Sequence, residues 1–132
     1  MSSPLSEQSI TFSIDIVNYY KWLTSEKKDF VLSKQILRSG TSIGANIHEA
    51  NFAVSKAAFI AKMQIALKET SETEYWLIVL EKTDYLPSEF LVLKDKCNSL
   101  KRMLISTLNT AKKWIVNSEK WKVKVSQGDY LK

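Results

Sequence analysis

One histidine and one cysteine stand among the 132 residues, so little of the chain is equipped for acid–base, nucleophilic or metal chemistry. His48 has no nucleophile partner at a recognisable spacing and reads as an exposed or interface imidazole rather than a general base. Cys97 falls on the apolar stripe of a helix and reads as a small buried hydrophobe. Alone, it closes no disulfide within the chain and builds no cysteine-based zinc site. Carboxylates are more plentiful: Glu49 on one helix, and Glu69, Glu72 and Glu74 on the next, raise the idea of a di-metal bundle. Such a site needs Glu-x-x-His on two helices. Here His48 is followed directly by Glu49, and position 45 is Ala. Arg38 instead suits an ion pair with a carboxylate of a neighbouring helix, which would favour one packing register. The stretch Gly40-Thr41-Ser42-Ile43-Gly44 invites comparison with a phosphate-cradling loop, but no strand precedes it and the Gly-Lys-Ser/Thr ending is missing. No catalytic residue, metal ligand or cofactor is assigned, and the chain reads as non-enzymatic.

Charge is a stronger signal. The formal net charge is +5, but it is unevenly spread. From Lys94 onward ten Lys/Arg face three acids (+7), while the first 93 residues hold nine basic and eleven acidic side chains (−2). Such asymmetry points toward a polyanionic partner. The basic set is Lys94, Lys101, Arg102, Lys112 and Lys113 on a helix, then Lys120, Lys122 and Lys124 beyond it, with Trp114 and Trp121 interleaved. Cations beside a stacking ring suit single-stranded nucleic acid, RNA or DNA. A solvated helix face followed by a soluble tail accounts for the same residues.

These side chains must be held by helices. Three Gly and two Pro are too few for an all-β domain of this length, and 45% hydrophobic with 25% charged residues is globular composition. Apolar spacing of three and four predicts helices over about 6–25, 29–53, 55–85 and 88–117, joined by short turns: an all-α, antiparallel up-down-up-down four-helix bundle. In the first helix Ile10, Ile14, Val17 and Tyr20/Leu23 form the stripe, widened by Ile16 and Tyr19; Ser6 or Ser9 caps it, with Pro4 just outside. The second keeps its phase through Ser39–Ser42, which favours one continuous helix over a break there. Ser55 caps the third. Residues 118–132 read as a basic tail that need not be ordered. No run reaches the ~18 apolar residues of a membrane span, and the first residues lack a signal-peptide pattern, so a cytoplasmic protein is expected.

Two features look outward. Small residues at Gly40 and Gly44 permit close backbone approach of another helix, within or between subunits. Tyr75, Trp76, Ile78 and Val79 lie beyond the inner face set by Thr73, Leu77 and Leu80, so this helix end is apolar nearly all round. A surface helix of a monomer has a polar back. All six are therefore candidate oligomer-interface residues.

The segments SKQILRSGTSIGANIHEA (33–50) and FIAKMQIALKETSETEYWL (59–77) are distinctive. Over about residues 8–117 the chain resembles the bacterial four-helix-bundle proteins first noticed as reading frames within intervening sequences of 23S ribosomal RNA genes. The resemblance implies a ring-shaped homopentamer. It also implies kinship with the accessory variability determinants of diversity-generating retroelements, basic pentamers that bind nucleic acid and a reverse transcriptase. The expectation is thus a non-enzymatic, homo-oligomeric accessory that binds RNA or DNA through its basic helix and tail. The alternative is a ring-shaped scaffold docking a partner protein without touching nucleic acid.

Overall fold

Ser3 opens the first helix, its hydroxyl accepting the Ser6 N–H at 3.1 Å. Pro4 follows in the first turn, where a missing N–H costs nothing. Helix α1 (Pro4–Ser25) therefore starts earlier than expected, and neither Ser6 nor Ser9 is its cap. The structure is a computed structural model that describes residues 3–126, with side chains through 114. Among the described residues there is no strand.

Helix α2 (Leu32–Ala50) starts later than 29. Lys28 takes a positive φ of 55°, which breaks the helical path, and Asp29 stays outside as an acceptor for the Ser33 N–H at 2.6 Å. The helix is continuous through Gly40, as its unbroken apolar phase implied. Helix α3 (Lys56–Lys82) is capped by Ser55, whose hydroxyl accepts the Ala58 N–H at 3.0 Å, as expected. It stops short of 85 because Asp84 turns to φ 65°, and the Tyr85 N–H returns to the Leu80 carbonyl at 2.8 Å. A single 3-10 turn (Ser88–Phe90) leads into helix α4 (Val92–Ser126). This last helix runs past 117, through residues expected to form a tail. No Gly or Pro stands between Asn117 and Ser126 to interrupt its hydrogen-bond ladder once the apolar stripe ends. Residues 127–132 lie outside the described residues.

Cross-helix contacts give the topology. As numbering rises along α1 it falls along its neighbour: Asn51 donates to the Ser6 hydroxyl, while Gly40 lies against Ile16. The same reversal relates Glu49–Lys62 and Arg38–Glu72 across α2 and α3, and Glu81–Lys94 and Glu74–Lys101 across α3 and α4. Lys96 and Asp15 tie α4 back to α1. The four helices close an antiparallel bundle, each packed beside the next.

The core corrects one expectation. The inner face of α1 is Leu5, Phe12, Ile16, Tyr19 and Leu23, whereas Ile10 and Ile14 are exposed and Val17 half-buried. Two apolar stripes offset by a fraction of a turn run along this helix. The one chosen places Ser9 and Ile16 opposite the glycines of α2, where short side chains let the backbones approach. Inside, Tyr19 donates from its hydroxyl to the Tyr85 carbonyl at 2.6 Å, and Thr73 donates to the Ser39 hydroxyl at 3.0 Å. Among the described residues no buried side-chain polar atom lacks a partner.

Candidate nucleic-acid interface

The basic residues of α4 divide into two groups once their neighbours are known. Lys94 Nζ lies 2.7 Å from Glu81 Oε1, and Lys101 Nζ lies 3.2 Å from Glu74 Oε1. Lys96 pairs with Asp15 in the same way. These pairs are partly exposed, each contributing of order 0–1 kcal/mol to stability. Their main effect is local neutralisation of the upper half of α4, where Lys94 and Lys101, expected in the basic surface, each stand beside a glutamate of α3. The antiparallel bundle sets them opposite glutamates of α3, a pairing no local spacing in α4 reveals.

Lower on the same helix, Arg102, Lys112 and Lys113 are exposed. The start of α3 comes beside them: Lys56 Nζ sits 4.5 Å from the centroid of the Trp114 ring, a cation–π contact. Trp114 remains 55% exposed, and Phe52 and Val54 project from the α2–α3 connection at the same end of the bundle. His48 is exposed there too, its ring 5.4 Å from that of Phe52. Between the start of α3 and α4 runs a groove of about 350 Å³ lined by Lys56, Phe59, Ser106, Thr107, Thr110, Ala111 and Trp114. The backbones of Lys120, Trp121, Lys122 and Lys124 continue along α4, but their side chains lie outside the described residues. Lys56 and Phe59 were missed from sequence. The signal that could have found them was the Ser55 cap, which fixes the start of α3, combined with the bundle topology that sets this start beside the end of α4.

Of the two uses open to the small-residue face of α2, packing within the chain or between subunits, the structure takes the first. A Cβ on Gly40 would meet Ile16 Cγ1 and Cγ2 at 2.8 and 2.9 Å, and one on Gly44 would meet the Ser13 hydroxyl at 3.1 Å. Both glycines are covered by α1 of the same chain, so they are packing residues of the protomer and not surface for a second copy. On α3, Trp76 is half-buried against the core and donates from Nε1 to Glu72 Oε2 at 3.2 Å. Arg38 bridges the Glu69 and Glu72 carboxylates, fastening α2 to α3. Tyr75 and Ile78 are exposed and Val79 is half-buried.

Cys97 is buried, and burial together with the nearby Glu74 carboxylate pushes its thiol up to about 12, against the smaller opposing effect of Lys101. Among the described residues no three His, Cys, Asp or Glu side chains gather as they would around a metal ion. Among them, too, no helix is long and apolar enough to cross a membrane.

A family model described as 23S rRNA-intervening sequence protein matches residues 3–106. A solved structure from Bacteroides thetaiotaomicron, described as a protein with unknown function from the S23 ribosomal protein family, is 50% identical with a TM-score of 0.77. The match covers 79% of this chain and 97% of that one. No curated protein matches the chain. Lys112, Lys113 and Trp114 lie beyond the last residue of the family match, whereas Lys56 and Phe59 lie within it.

Proposed function

The chain belongs to the 23S rRNA-intervening sequence protein family, and from that premise we propose that it is a non-enzymatic, homo-oligomeric accessory protein that binds nucleic acid through the lower end of its bundle. The observation that carries this reading is the cluster at that end: Lys56 held over the Trp114 ring, with Lys112 and Lys113 exposed beside it. Cations there neutralise phosphates and release counterions, while the ring offers a surface to a base. The surplus of +7 from Lys94 onward supports it, because the upper lysines of α4 are paired and the remaining positive charge falls toward its far end.

The measurement is retention of structured RNA and single-stranded DNA by the purified protein as salt is raised. Affinity should fall steeply, with a log–log slope of roughly 0.7–0.9 per neutralised phosphate. Alanine at Lys112, Lys113, Lys120, Lys122 and Lys124 together should weaken binding to all sequences alike and flatten the slope. No retention at low salt removes the reading.

A second reading rests on exposed apolar side chains: Ile10 and Ile14 on α1, and Tyr75 and Ile78 on α3. They favour contact with protein, either further copies of the chain in a ring such as a pentamer or a docked partner. In this reading the protomers form a scaffold and the charge serves solubility. The implied kinship with accessory determinants of diversity-generating retroelements would make that partner a reverse transcriptase. A pull-down that recovers one protein after nuclease treatment favours the scaffold, and a neighbouring reverse-transcriptase gene with a template repeat favours that partner.

A further inference from the structure

We infer that Trp114 is a stacking platform for one unpaired nucleobase, seated in the groove between the start of α3 and α4, and that the protein therefore prefers single strands to duplexes. The inference rests on the nucleic-acid reading above and specifies its ligand. Trp114 is large, planar and 55% exposed, although it stands beside a groove that could have covered it. Lys56 Nζ, 4.5 Å from its centroid, lies over one face of the ring; a base stacking in the groove displaces this flexible ammonium sideways, where it meets the phosphate attached to that base. Phe59 and Ala111 give the groove an apolar lining.

The polar lining fits the same ligand. Many helix hydroxyls in this protein turn back on their own carbonyls, as those of Thr41, Thr70 and Thr83 do. Those of Ser106, Thr107 and Thr110 line the groove. A hydroxyl donates and accepts, so it can meet any base edge or a phosphate oxygen without selecting a sequence. Lys113, three residues after Thr110, lies on the flank of α4 that borders this hydroxyl row, placed for the next phosphate. An indole reaches a base face only where that face is free. In a duplex both faces are already stacked on neighbours, so the ring contributes to binding of single strands alone.

The test is fluorescence anisotropy on the full chain with short labelled oligo(U), oligo(dT) and a blunt RNA duplex, at one low salt concentration. Trp114→Ala and Trp114→Leu should each weaken both single strands by about tenfold and the duplex by about twofold or less, whereas Trp114→Phe should recover most of the loss. Lys56→Ala should weaken all three probes. The Leu and Phe variants separate stacking from packing, because both keep an apolar side chain and only one keeps a ring. The oligo(U) and oligo(dT) arms show whether the ribose is read as well. If the wild type binds the probes and Trp114→Ala binds them equally well, or loses duplex and single strands in parallel, the stacking inference falls while the nucleic-acid reading stands. If the wild type binds none of the probes, both fall together.

Discussion

Cys97 shows what a single residue says about this protein. It is the only thiol, and burial first, then the Glu74 carboxylate, pushes it up to about 12 from an ordinary 9.0. Buried and shifted upward, it forms far less thiolate than an exposed cysteine and serves as a packing group. Between pH 9 and about 12 the folded chain keeps a proton that the unfolded chain has lost, so stability falls as pH rises through that window and is unaffected by this group below it. The buried Tyr19 phenol, also pushed up by burial, adds to the same trend. The urea midpoint should be lower at pH 10.5 than at pH 8, with Cys97 accounting for on the order of 1–2 kcal/mol. The variant Cys97→Ala should show a shallower decline. A decline of equal slope in that variant would assign the effect elsewhere. Cys97 was legible in the sequence as a buried residue of a helix stripe, and His48 as an exposed one. Lys94 and Lys101 were not legible as paired, because their glutamates lie on α3.

At the scale of helices, the approach of α1 and α2 decides the most. Gly40 is there because Ile16, fully buried and β-branched, fills the space where its Cβ would stand. In an exposed helix Gly→Ala gains about 1 kcal/mol of propensity. Here a methyl at 2.8 Å from Ile16 Cγ1 forces overpacking, which costs typically 1–3 kcal/mol. The cost wins, because Cγ1 and Cγ2 branch beside the α1 backbone and cannot swing away. Gly40→Ala should therefore lower the melting temperature, and adding Ile16→Ala should destabilise by less than the two single changes combined. Simple additivity in thermal melts would show that the helices do not meet as described. The sequence announced that some helix would come close to this glycine face. It left open whether that helix belonged to the same chain, and the bundle assigned the face to α1.

The whole molecule presents distinct surfaces. One end carries Lys56, Lys112, Lys113 and Trp114, and the flanks of α1 and α3 carry exposed isoleucines and Tyr75. A symmetric assembly would repeat the charged end around its axis and concentrate the field on a polyanion. If α3 supplies the subunit contact, light scattering should give a mass of several protomers for the wild type and a lower mass for Tyr75→Lys with Ile78→Lys. A wild type that runs as a single protomer removes the ring. The family match ends at residue 106, whereas the bundle core continues through Leu108 and Ala111 to the basic end of α4.

The sequence by itself determined four helices, their order and their antiparallel closure. Periodicity, caps and short turns are local physics, and near-neighbour connections leave few ways to bury four apolar stripes. It also placed the positive charge in the last third. Tertiary structure decided which of two apolar stripes on α1 faces inward, which lysines are neutralised, and that Lys56 stands over Trp114. Each of those depends on which side chain of a distant helix comes opposite, and that is set by the packing of whole helices, not by spacing along any one of them.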